Sequence, residues 1–181
     1  MLKKLIYVVC IMLVTLGSLP GGSFQQYEAS TVAGDDFNFP TDALDNKPVL
    51  FALAMGTTRE SGEIQQKHLL RWDSEIKVRN TPLKTLAFYH FPIIEAPRFI
   101  HGVIRRGIGK SYKDIVLEEL AAVIFIKDTE TFAEQAGIPL DDQATVVLVL
   151  PDNTIAGYVK GPFSLESMGK LEQLYDRFIN R

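Results

Sequence analysis

Cysteine is nearly missing from this 181-residue chain: the one present, Cys10, falls inside an N-terminal apolar run. An intrachain disulfide, a CxxC redox pair and a cysteine-ligated zinc site are therefore excluded. Histidine is scarce, with only His68, His90 and His101, and no HxxxH or acidic partner spacing accompanies them, so neither a metal site nor a cofactor is expected. The Asp141-Asp142 pair lacks the acidic ladder of a calcium loop and reads as solvated loop. A strong charge imbalance is absent too. The 19 Lys and Arg stand against 22 Asp and Glu, a net of −3, which argues against nucleic acid as a partner. With 46% hydrophobic residues the chain is too apolar for disorder and long enough for one well-cored domain.

What is there begins with a leader. Lys3 and Lys4 precede an apolar run over residues 5–16, and Gly17, Ser18, Gly21, Gly22 and Ser23 supply small residues near a cut. This predicts a signal peptide over residues 1–23, cut after Ser23 or Ser18, and export to a periplasmic or extracellular space. The rival is an uncleaved anchor through residues 5–19, at about fifteen residues just under the ~17–25 that span a bilayer. Loss of residues 1–23 leaves 17 basic and 22 acidic side chains and no thiol. Residues 24–36 are polar and aperiodic and read as a flexible tether ahead of a domain at 37–181.

Within that domain, Phe37 and Phe39 alternate as a short edge strand, and residues 45–48 (DNKP) are a turn. The run VLFALAM at 49–55 predicts a central strand covered on both faces. Residues 60–78 follow as a helix whose core stripe is Ile64, His68, Trp72 and Ile76. A strand is expected over 83–90. Residues 91–97 carry Pro92 and Pro97 and are expected to be irregular, followed by helices at 98–108 and 112–120 and a strand at 123–126. A short helix over 128–136 has Asp128 or Thr129 as cap and Gly137 beyond it. The clearest hairpin pairs 145–150 with 154–159 across Pro151-Asp152-Asn153, and a helix over 165–179 capped by Ser164 closes the chain.

This order, with VLFALAMGTTRESGEIQQKHLLRW early and ATVVLVLPDNTIAGYVKGPFSLESMGKLEQLYDRF late, resembles the thioredoxin-like superfamily. The resemblance implies an α/β three-layer sandwich, a mixed central sheet with helices on both faces. The layout is similar to small exported thioredoxin-like proteins and to the mitochondrial chaperone family of that fold that assists ATP synthase assembly, the latter through FYHFPIIEAPRFIHGVIRRGI. Where the superfamily carries its nucleophilic cysteine, this chain has Gly56-Thr57-Thr58-Arg59, and Ala144 stands where redox members have a cis-proline. Thiol–disulfide exchange and peroxiredoxin activity are therefore expected to be absent.

Two stretches are candidate binding sites, and no catalytic residue is assigned. Residues 56–62 (GTTRESG) sit at a strand end and a helix N-terminus, so Thr57, Thr58 and Arg59 either contact a ligand or simply cap the helix. A small-anion-binding protein or a non-thiol enzyme would use this turn, although no general base lies near it in sequence. Residues 91–117 set Arg98, Arg105, Arg106, Lys110 and Lys113 against Glu95 and Asp114, on an amphipathic helix that includes His101. Such a helix suits a protein partner in the cell envelope or an anionic membrane surface, or packs on the sheet with its cations in water. The leading expectation is an exported, redox-inactive binding or assembly factor of chaperone type.

Overall fold

The computed structural model describes residues 22–179. The predicted leader over residues 1–23 lies almost wholly outside them. In chain order the elements are β1 (Tyr27–Thr31), β2 (Asp36–Phe39), β3 (Val49–Ala54), α1 (Arg59–Val78), β4 (Phe88–Glu95), α2 (His101–Tyr112), β5 (Ala122–Ile126), α3 (Thr129–Ala136), β6 (Thr145–Val149), β7 (Ile155–Lys160) and α4 (Leu165–Phe178). The strands form one seven-stranded sheet in the order β2-β1-β5-β4-β3-β6-β7. Its centre is parallel, β3 with β4 and β4 with β5, and the flanking pairs are antiparallel. This is the mixed sheet of the expected α/β sandwich.

All six residues of β3 are buried, as an unbroken apolar run between two partner strands requires. Phe51 and Leu53 point to one face with Phe91, Ile124, Val147 and Phe132 of α3. Leu50 and Ala52 point to the other, with Leu69 and Trp72 of α1 and Met168 and Leu171 of α4. Each such large side chain contributes about 1.5–3 kcal/mol by leaving water. Trp72 is fully buried, and its indole N–H donates to the Gly161 carbonyl at 3.1 Å.

The caps follow the sequence. Thr58, Asp128 and Ser164 accept from backbone N–H groups of the first turns of α1, α3 and α4, and Gly137 closes α3 at φ 66°. The hairpin β6–β7 turns through residues 150–154, as expected.

Four expectations need correction. Residues 24–36 are no tether: Phe24 is buried among Phe39, Phe51 and Phe132, and β1 pairs with both β2 and β5. Pairing begins earlier still, at Ser23 with Thr154, and the Ile155 N–H donates to the Gly22 carbonyl at 2.8 Å. The strand expected over 83–90 lies at Phe88–Glu95, preceded by a 3-10 turn at Pro82–Thr85. Pro92 stays in register with Ala54 of β3, and on the β5 side it falls in the gap between the His90↔Ala121 bridge and the Ile93↔Ile124 pair, where no ladder hydrogen bond needs its missing N–H. The α1 stripe is rotated, with Gln65, Leu69, Trp72, Asp73 and Ile76 inside while Ile64 is 45% exposed. The helix expected over 112–120 reduces to the 3-10 turn Glu118–Leu120.

Candidate functional site

The turn after β3 is built by close backbone approach. A Cβ on Gly56 would come within 2.4 Å of the Gly62 amide nitrogen, so only glycine fits. Behind it the Met55 N–H donates to the buried Gln65 side chain at 2.8 Å, and Gln65 in turn donates to Ser61 Oγ at 3.3 Å. Thr58 accepts from the Ser61 N–H at 3.1 Å, which is the capping role. Thr57 donates from both its amide and its hydroxyl to the Asp142 carboxylate, each at 2.8 Å, and Ser61 Oγ donates to the same carboxylate at 2.6 Å. The hydrogen bonds from Ser61 and from the Thr57 amide and hydroxyl hold the Asp142 carboxyl below its ordinary value.

Asp142 is thus not free loop. It brings its own negative charge to the N-terminal end of α1, where an external anion would otherwise be drawn. Asp141 is also engaged, with Lys160 at 2.5 Å. Arg59 stands 92% exposed and pairs with Glu63 at 2.8 Å, one helical turn on. All three turn residues are exposed, but Thr57 and Thr58 are held by hydrogen bonds within the turn and to Asp142, while Arg59 pairs only with Glu63.

The second stretch is arranged differently. After the 3-10 turn Arg98–Ile100, α2 buries a single side chain completely, Tyr112 at its last position. His101, Ile104, Arg105 and Ile108 face inward and are half-buried. The His101 ring stacks on Phe125 at 3.7 Å, and its Nε2 donates to the Ala96 carbonyl at 2.9 Å. The Arg105 guanidinium packs over Gly34, where a Cβ would meet it at 3.0 Å. Both residues, expected as binding contacts, are committed to holding α2 in place.

The outer face keeps the remaining candidates. Phe99 is 85% exposed and Val103 62%, while Arg98, Arg106 and Lys110 are exposed around them. Arg106 donates to the Gly102 carbonyl of its own helix at 3.0 Å. Among the described residues, no carboxylate pairs with Arg98, Arg105, Arg106, Lys110 or Lys113, as with Lys47, Lys67, Lys84 and Lys127 elsewhere, whereas Arg59, Arg71, Lys77, Arg79, Lys160 and Lys170 all have acidic partners.

A third feature carries no local sequence signal. His90 of β4, 0% exposed, faces α1 and α2, with its Nε2 3.8 Å from Asp73 Oδ2 and its ring centroid 5.2 Å from that of Tyr112. Seventeen residues separate His90 from Asp73 and they lie on different elements, so only the folded register brings them together. Burial pushes the His90 pKa below its ordinary value, with Asp73 opposing and Lys77 reinforcing. Burial pushes the Asp73 carboxyl up, but contacts with His90 and Lys77 outweigh it and hold it below the usual carboxylate range. Among the described residues, no three His, Cys, Asp or Glu side chains are placed to share a metal ion.

No protein-family model matches the chain, and no characterised protein matches it by sequence. Solved structures match it in shape. BsSco, a member of the Sco family of cytochrome c oxidase assembly proteins, matches with a TM-score of 0.56 at 10% identity, over 88% of this chain and 96% of its own. ScoI of Arabidopsis thaliana, with copper bound, gives 0.57 at 8% identity over 86% and 99%. The reduced 2-Cys peroxiredoxin of Plasmodium vivax gives 0.53 at 10% identity over 89% and 97%.

Proposed function

We propose that this chain, which has a thioredoxin-like fold with Gly56-Thr57-Thr58-Arg59 in place of a thiol motif, is an exported binding or assembly factor that does no thiol chemistry and engages a protein partner through the outer face of α2. The observation that carries this reading is a helix packed on one side whose other side, with the 3-10 turn leading into it, presents exposed Val103 and Phe99 among cations without acidic partners. Exposed apolar side chains beside unneutralised like charges are the composition of a contact surface for an acidic partner. An assembly role is in keeping with BsSco, whose family assembles cytochrome c oxidase.

Redox inactivity rests on composition: the one cysteine is Cys10, and hydroxyls cannot replace a thiolate in disulfide exchange. Copper, bound by the Arabidopsis neighbour, fits poorly at the corresponding turn here. Its side chains offer hydroxyl, guanidinium and carboxylate groups and no sulfur, the donor that selects Cu(I). Use of the turn by a small external anion is disfavoured by Asp142, which already takes the Thr57 N–H.

Export rests on the leader. The pairing of Gly22 and Ser23 with Ile155 and Thr154 favours a cut after Ser18 over one after Ser23, because the later cut would remove those contacts.

The test is a photo-crosslinking residue at position 103 in the native cell envelope. A defined adduct is expected, lost in the Arg106→Glu/Lys110→Glu double variant and retained when Arg59 and Lys170 are reversed instead. The same adducts with both double variants, or none above those from a probe at position 59, overturn the α2 reading.

A further inference from the structure

Tyr112 is the one side chain by which α2 is wholly inserted into the fold, and it lies edge-on against His90 at 5.2 Å. The surroundings of His90 are poor in partners. Neither ring nitrogen makes a hydrogen bond, and Asp73 Oδ1 is also buried without one, while the Tyr112 hydroxyl has only the Gln66 side chain of α1 beside it. Asp73 Oδ2, at 3.8 Å, is already the acceptor for Lys77 at 2.7 Å. The groups facing the imidazole are therefore Asp73 and Lys77 from α1, Tyr112 from α2, the Phe88 ring at 5.1 Å from its own strand, and the backbone of Ala121.

We infer that His90 and Tyr112 form an acid-sensitive latch: proton uptake by the buried imidazole drives Tyr112 out and releases the C-terminal end of α2, while the first turn stays held by His101 on Phe125. With Tyr112 in place, a protonated imidazole would hold two N–H donors in a buried site whose one carboxylate is shared with an ammonium group, an arrangement burial opposes. With Tyr112 out, water reaches the ring and its proton affinity returns to that of an ordinary histidine, near pKa 6.5. The open form then binds more protons than the closed one, so the open-to-closed ratio rises as pH falls below about 6.5. Between pH 7.5 and 5.5 that ratio rises about tenfold. The sheet is spared, because α2 contributes only half-buried side chains besides Tyr112 while β3 and β6 are buried throughout. The latch regulates the face proposed above for the partner and takes its biological meaning from that reading, but its physics does not depend on a partner.

Hydrogen exchange of the purified protein, corrected for the intrinsic pH dependence of amide exchange, tests it without any ligand. Amides of the last turn of α2, residues 108–112, are expected to exchange about tenfold faster at pH 5.5 than at 7.5 while those of β3 and β6 hold, and His90→Gln should flatten that rise. A flat wild-type profile, an equal rise in His90→Gln, or loss of protection in β3 together with α2 overturns the latch. Should His90→Gln fail to fold, NMR titration of the wild-type imidazole decides. Titration near 6.5 with the Tyr112 ring signals unmoved is the overturning result; titration coupled to a shift of those signals is the supporting one. Failure of the crosslinking experiment would leave these readouts untouched, so the two ideas fall separately.

Discussion

Thr57 and Asp142, 85 residues apart, are joined by two hydrogen bonds of 2.8 Å each, one from the threonine amide and one from its hydroxyl. They tie the start of α1 to the loop entering β6 at the turn after β3. Asp142→Ala is expected to lower stability by about 0.5–1 kcal/mol, below the ~1.5–3 kcal/mol of hydrogen bonds to a charged group because the site is open to water. The Asp142 carboxyl is held low in the folded state by Ser61 and Thr57, so its contribution is present above about pH 4 and is lost as pH falls through the folded value. Urea titrations of both proteins should differ at pH 7 and converge in acid.

Gly56→Ala tests the tightness of the same turn. The new methyl would meet the Gly62 amide nitrogen at 2.4 Å and its Cα at 2.6 Å, backbone atoms that cannot swing away. A loss of about 1–3 kcal/mol is expected, read as a lowered denaturation midpoint at unchanged slope.

Trp72→Phe removes a donor as well as volume. The Gly161 carbonyl loses its 3.1 Å partner, and the edge-to-face contact with Phe163 at 5.0 Å is weakened. About 2 kcal/mol should be lost, measurable by far-ultraviolet circular dichroism during chemical unfolding.

Neighbouring arginines on α2 should behave oppositely. Arg106→Glu changes an exposed group and is expected to leave the melting temperature within the range of ordinary surface substitutions, about 0.5 kcal/mol. Arg105→Glu removes a guanidinium packed over Gly34 and should destabilise the domain by clearly more. Calorimetry of the two single variants separates them, and equal melting temperatures would contradict the packing described.

Most of the architecture is legible in the residues because it rests on local signals: the apolar run of β3, the Ser and Asp caps, the β6–β7 turn. What escapes is made by distant partners. Nothing in Tyr-Glu-Ala-Ser-Thr marks a strand, since β1 is held by backbone pairing to β2 and β5 on either side rather than by an alternating apolar pattern. Pro92 argues against a strand by its own chemistry, and only the gap in the pairing with β5 at that position makes it harmless. The basic helix is visible as composition, but which of its cations face outward is set by contacts to Gly34 and Phe125, far off in sequence. His90, Asp73 and Tyr112 meet only through tertiary packing.

The placement of the aromatic rings has a practical result. Phe24, Phe37, Phe39, Phe51, Phe91 and Phe132 gather on the α3 side of the sheet, with Phe39 within 4.8–6.0 Å of four of the others. The single tryptophan, Trp72, lies on the opposite side beneath α1 and α4. Each side of the sheet thus has its own optical reporter: indole emission follows one, and the phenylalanine fine structure of near-ultraviolet dichroism is weighted toward the other. Melting curves recorded at the two signals will coincide if the sheet's two sides come apart as a unit, and will separate if one side lets go first.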